Sequence, residues 1–149
     1  MSTVLILEQA LNGLQFGVML FMMSAGLTLV FGVMGLINLA HGSLYMIGAF
    51  AAAVVATWTG SFMLGLIASL AAAAAMGALI ELVVIRRLYD RDHLDQVLAT
   101  FALILILSEG TRYTFGSLPL YLNTPGWLSG VFDFGGGLVY PKYRLAIIF

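Results

Sequence analysis

Long apolar runs alternate with short polar interruptions along this chain, and the runs are of membrane length. No Asp, Glu, Lys or Arg stands between Glu8 and Glu81, so Gln9–Ile80 forms 72 consecutive uncharged residues. One membrane crossing needs ~20 apolar residues, so this stretch holds about three crossings with a remainder for turns. The pattern predicts crossings over Gln9–Gly32, Gly42–Trp58, Ser61–Ile85 and Leu94–Phe115, with a further helix starting from Tyr143 in "YRLAIIF". A β-barrel strand alternates apolar and polar residues over about ten positions. Segments such as "AFAAAVVA" and "IASLAAAAAMGALI" do not alternate and are rich in helix formers. The expected fold class is therefore all-α, a polytopic transmembrane helix bundle of four complete helices and the start of a fifth. A membrane segment that stopped in mid-bilayer would leave backbone groups unsatisfied. We accordingly expect residues 1–149 to be the N-terminal part of a longer membrane protein.

Composition sharpens this picture. The chain is 62% hydrophobic and 9% charged, against roughly a quarter charged in soluble domains. A soluble protein is excluded. The opening "MSTVLILEQ" lacks a basic n-region and carries Glu8, which argues against a cleaved signal peptide. With no cysteine, neither disulfides nor thiol chemistry is available. A net charge of −1 without a basic block gives no support for nucleic-acid binding.

The densest charge is "RRLYDRDHLD", between the third and fourth crossings. Arg86, Arg87 and Arg91 mark residues 86–93 as a cytoplasmic loop by the positive-inside rule. Asp90, Asp92 and Asp95 open the following helix, where anions suit its dipole, with Asp92 a candidate N-cap. Residues 116–141 hold all three prolines and six glycines and are expected to form an external loop. Within it, "VFDFGGGLVY" suggests a short hairpin turning at Gly135–Gly137. Tyr121, Trp127, Tyr140 and Tyr143 suit an interfacial aromatic belt. This arrangement puts the N-terminus outside the cell.

Two features bear on packing. Ser69, Ala73 and Gly77 recur every fourth residue in the third crossing, and Gly13 and Gly17 share that spacing in the first. Small residues so spaced let helix backbones approach closely in lipid. Glu109 and Arg112, at i and i+3, are placed to pair locally. Glu81 lies poorly placed for Arg86 and is expected to pair across helices or reach the interface.

The stretch "GVMGLINLAHGSLYMIGAF" carries the candidate chemistry. Gly32, Gly35 and Gly42 bracket Asn38 and His41 where the first crossing should end. Each glycine weakens a helix by ~1 kcal/mol relative to Ala. A break here frees backbone groups, tolerated at membrane depth only where protein buries them or water lines them. Asn38 and His41 are suited either to capping those groups or to facing a solute. One His without nearby Cys, Asp or Glu lacks a metal's ligand count, so no metal or other cofactor is expected. No Ser/His/Asp set, phosphate loop or paired carboxylates are present, and no enzyme is predicted.

At "GLTLVFGVMGLINLAHGSLYMIGAF" the chain resembles the LivH-type permeases of branched-chain amino-acid ABC importers. Asn38, Ala40, His41, Gly42, Tyr45, Met46 and Gly48 match the family's Asn-x-Ala-His-Gly and Tyr-Met-x-Gly pattern. "IELVVIRRLYDRDHLDQVLATFALILIL" is similar to the family's Glu-x₄-Arg stretch and the helix after it. Arg87 stands where members often have Pro, and Ser43 where many carry an acid. The resemblance implies a multi-pass permease of a bacterial inner membrane with a path for Leu, Ile or Val. It also implies a second related permease, two cytoplasmic ATPase subunits and an external solute-binding protein as partners. Urea or short-chain amide permeases are the alternative within the family. A stand-alone secondary transporter or channel is the alternative outside it, although residues 9–80 offer only His41 for ion coupling.

Overall fold

A computed structural model describes residues 3–116, 120–122, 124–135 and 138–148, with the side chain of Met34 excepted. In order, the elements are α1 (Thr3–Met34), α2 (His41–Thr59), α3 (Phe62–Val83), a 3-10 turn (Ile85–Arg87), α4 (His93–Phe115), β1 (Val131–Asp133), β2 (Val139–Pro141) and α5 (Lys142–Ile148). Among the described residues, four helices are long and apolar enough to cross a membrane: Thr3–Val33, His41–Thr59, Phe62–Arg87 and His93–Phe115. The chain is an all-α, multi-pass membrane protein with one two-stranded hairpin. It divides into two compact units: residues up to Gly26 with those from Thr124 onward, and Leu27–Asn123.

In the second unit, α2 and α3 form a tight hairpin. Gly60 ends α2 in the left-handed region (φ 67°), and its N–H returns to the Ala56 carbonyl at 2.9 Å. Ser61 then caps α3, its Oγ accepting the Leu64 N–H at 3.4 Å. The faces that meet are lined by small residues. A Cβ on Gly65 would stand 2.8 Å from the Ala52 carbonyl oxygen and 2.9 Å from the Ala56 Cβ. One on Gly48 would stand 3.0 Å from Ser69 Oγ and 3.6 Å from the Ala73 Cβ, and one on Gly77 3.6 Å from Leu44 Cδ1. Small residues at four-residue spacing on α3 thus lie along Leu44, Gly48, Ala52 and Ala56, which share that spacing on α2. Among the described residues, nothing from a neighbouring element lies within 4 Å of a Cβ built at Gly13 or Gly17 of α1.

The helical path after α3 tightens into the 3-10 turn, and α4 starts at His93. Asp92 occupies the N-cap position, but its carboxylate makes no capping hydrogen bond. Instead the Asp92 backbone carbonyl accepts the Gln96 N–H at 3.1 Å. Gln96 carries the local connection: its Nε2 donates to the carbonyls of Leu88 and Arg91, both at 3.1 Å. Glu81 also finds a partner that sequence spacing does not show, as the Tyr89 hydroxyl donates to its Oε1 at 2.7 Å. Arg112 and Glu109 form the i, i+3 pair at 3.4 Å, both exposed.

In the first unit, β1 and β2 pair antiparallel with Phe132 opposite Tyr140. The Asp133 carboxylate accepts the Gly135 N–H at 2.8 Å, and Gly135 takes a positive φ of 82°. Gly136 and Gly137 lie outside the described residues. Tyr121 and Trp127 are exposed, but Tyr140 is buried. Its hydroxyl bonds to the Asn12 side chain of α1 at 3.0 Å, so its polar tip is satisfied inside the unit.

Candidate functional site

Helix α1 stops at Met34 because Gly35 adopts the left-handed region (φ 64°), its N–H bonded to the Phe31 carbonyl at 2.8 Å. A glycine just past the last helical residue is the usual terminator, since a Cβ is disfavoured there. Residues 35–40 are non-helical. Within them Leu36, Asn38 and Ala40 are buried while Leu39 is exposed, an alternation that turns every second side chain inward. Leu36 and Ala40 form one apolar cluster with Ile80, Ile85 and Leu103, flanked by Leu44, Met76, Val84, Leu88, Ile104 and Leu107. The break therefore lies within the core of this unit, held by the C-terminal end of α3 and the middle of α4.

Irregular backbone inside such a core must find partners for its polar groups. Asn38 supplies one. Its Oδ1 accepts the Ala40 N–H at 3.0 Å, and its carbonyl accepts the His41 N–H at 3.3 Å. The Ala40 carbonyl in turn accepts the Ser43 N–H at 3.0 Å. Helix α2 then begins at His41 without a side-chain cap. Asn38 is 7% exposed, and His41, on the first turn of α2, is half-buried. Among the described residues no hydrogen bond reaches the His41 imidazole. Gly32 precedes the break within α1, exposed, and Gly42 follows His41 within α2, also exposed.

Beside these groups α4 turns a polar stripe inward. Gln96, Thr100 and Leu103 are buried at i, i+4 and i+7, one face of a helix. Thr100 returns its hydroxyl to the Gln96 carbonyl at 2.8 Å. Gln96 spends both bonds of its Nε2 on the connection before α4, and among the described residues its buried Oε1 has no hydrogen-bond partner. A buried acceptor of this kind carries a desolvation penalty of ~1–3 kcal/mol. Gln96 and Thr100 are not singled out by charge or motif. Their signal is two polar residues at helical spacing in an apolar span. The arginines of the connecting loop, Arg86, Arg87 and Arg91, are all exposed.

The sequence has counterparts among known proteins. A profile for the family described as branched-chain amino acid transport system / permease component matches residues 9–140. The chain belongs to this family. It is 31% identical over 140 residues to the high-affinity branched-chain amino acid transport system permease protein BraD of Pseudomonas aeruginosa, covering 87% of this chain and 44% of that protein. The same measure against the permease protein LivH of Salmonella typhimurium is 31% over 137 residues, covering 83% and 44% respectively. Against LivH of Escherichia coli it is 28% over 137 residues, with the same coverage. The chain thus spans less than half the length of these relatives. The family match takes in α1 from Gln9 onward, α2 to α4 and β1, and with them the whole Gly32–Gly42 break. No solved structure matches.

Proposed function

We propose that this chain is the membrane-spanning permease subunit of an ABC importer in a bacterial inner membrane, forming the path for branched-chain amino acids. The family match over residues 9–140 carries this reading. ATP hydrolysis belongs to two cytoplasmic ATPase subunits, so the chain itself is not an enzyme. An external binding protein delivers the solute, and a second related permease completes the path.

Asn38, His41 and the flanking Gly32, Gly35 and Gly42 border that path. The support is physical: backbone that leaves the helix at membrane depth suits solute contact, because helix ends and freed carbonyls face charged or polar groups. Among the described residues the His41 imidazole keeps all of its hydrogen-bonding capacity. Asn38 holds the bend in shape. The scarcity of charge around the break fits a solute with an apolar side chain such as Leu, Ile or Val.

The test has two parts. Purification from the native membrane should bring down two ATPase subunits and a second permease with this chain. Uptake into reconstituted vesicles should then be competed by Leu, Ile and Val and not by urea or acetamide. His41→Ala should lower uptake while membrane insertion stays intact. Competition by urea alone would move the assignment to the amide permeases, and uptake that persists without ATP would end the importer reading.

A further inference from the structure

The polar cluster of the first unit leaves a positive charge without an acid. Arg144 Nη1 donates to Asn12 Oδ1 at 2.8 Å, and Arg144 Nε donates to the Tyr143 hydroxyl at 3.0 Å. Both acceptors are neutral. The Tyr140 hydroxyl shares Asn12 Oδ1 at 3.0 Å and lies 3.5 Å from Gln15 Oε1. Among the described residues the single ion pair is Glu109–Arg112, so no carboxylate balances Arg144. Glu8, one turn before Asn12 on α1, makes no ion pair with it.

Three observations make this more than an arginine reaching for a membrane surface. Asn12 stands one turn past Glu8, about 6 Å along α1 at ~1.5 Å per residue, so the guanidinium is drawn onto the apolar side of that carboxylate. The acceptor that draws it is fixed by Tyr140, which is 2% exposed. Arg144 itself is only half-buried, so an incoming group has access to it. A cation held against a spanning helix by neutral acceptors alone is costly, and such a group commonly marks an ion or substrate path. The guanidinium has more N–H donors than its two bonds use, in a planar fork that matches a carboxylate. With Oδ1 engaged, the Asn12 amide nitrogen remains as a neutral donor beside it.

We propose that Arg144, oriented by Asn12 and Tyr140, binds the carboxylate of the amino-acid solute on the outer side of the permease. This rests on the functional reading above and adds a second contact point, separate from the Asn38–His41 break. A bidentate, charge-assisted pair holds the solute's carboxylate while its apolar side chain is left to the uncharged helices.

The chain in phosphatidylcholine nanodiscs is treated with phenylglyoxal, and modification of Arg144 is followed by mass spectrometry with Arg112 as internal reference. Leucine and isovalerate should slow Arg144 modification roughly tenfold at saturation, leucinol should not, and Arg112 should be indifferent. Equal protection by leucinol, or none by either carboxylate, overturns the proposal. So does protection seen only when phosphatidylglycerol is added, which would make a lipid headgroup the counter-ion. Leucine uptake by the assembled transporter, run in parallel, separates the two ideas. Uptake without protection removes the carboxylate site and leaves the importer. Protection by isovalerate without leucine uptake keeps the site and removes leucine as the solute. In the same uptake assay Arg144→Gln should raise KM for leucine about tenfold, with Arg144→Lys intermediate and both variants inserted normally.

Discussion

Replacing Gly65 by Ala tests whether the α2–α3 hairpin is held by backbone approach. The added Cβ would sit 2.8 Å from the Ala52 carbonyl oxygen and 2.9 Å from the Ala56 Cβ. Ordinary carbon–carbon contacts lie at about 3.5–4.0 Å, so α2 and α3 must separate locally by over half an ångström. Neither obstacle is a flexible side-chain end: one is backbone and the other a Cβ. Overpacking of this kind costs about 1–3 kcal/mol, while the helix propensity gained on leaving glycine returns up to ~1 kcal/mol. With the full propensity gain returned, the net expectation is a loss of up to about 2 kcal/mol. Gly77→Ala is the internal contrast, because its Cβ would meet Leu44 Cδ1 at 3.6 Å, an ordinary contact with a mobile methyl. It should be neutral or stabilising by up to ~1 kcal/mol. Unfolding of the chain in mixed micelles by rising SDS fraction, followed by circular dichroism, reads both. If Gly65→Ala unfolds at the same SDS fraction as Gly77→Ala, the close approach does not hold the pair together and the packing argument fails.

Three further perturbations address the break and the loop. Asn38→Leu removes the acceptor of the buried Ala40 N–H and should lower stability by about 1–3 kcal/mol in the same SDS titration; an unchanged midpoint would mean that water replaces the side chain. Gln96→Leu frees the carbonyls of Leu88 and Arg91, so amide hydrogen exchange across residues 85–92 should accelerate while that of α2 stays as it was. The Tyr89 phenol, which lies outside the spanning segments, is held above its ordinary pKa of 10.0 first by its hydrogen bond to Glu81 and then by desolvation. Its neutral form is the donor, so the bond is present below the unfolded pKa and is lost as pH rises through the raised one. Near-ultraviolet phenolate absorbance should therefore show one late-titrating tyrosine that disappears in Tyr89→Phe and titrates earlier in Glu81→Gln.

Helix number and type were legible because the bilayer imposes them: uncharged runs of crossing length and no alternation leave few alternatives. The break at residues 35–40 was legible for the same reason, since glycine, asparagine and histidine have no bland role in a continuous span. Boundaries were less so. The first crossing was expected from Gln9, but α1 begins at Thr3, because "TVLIL" continues the apolar helix past Glu8 and its charge tolerates a membrane-surface position. Asp92 was read as a cap from its residue type, whereas capping depends on a side-chain rotamer that spacing does not encode. The sequence marks Gly48 only as a motif position and does not single out Gly65, because a close approach is a property of two helices, and one sequence shows only one face at a time.

Association in lipid lacks a hydrophobic drive between helices, so specificity here must come from backbone approach and from polar satisfaction. The second unit separates these two tasks. Gly48, Gly65 and Ser69 hold α2 against α3 without a charged contact in the seam. Asn38 and Gln96 satisfy the backbone that leaves helical form on either side of that hairpin. A hairpin fixed by packing and joined at both ends through hydrogen-bonded, non-helical backbone moves most readily as one piece, because each joint is the cheaper element to rearrange. Motion of α2 would carry His41, on its first turn, with it. The buried, unpartnered Gln96 Oε1 marks the joint at the other end as the one not at its electrostatic optimum in this conformation, and a rearrangement that gives that oxygen a donor recovers its ~1–3 kcal/mol penalty.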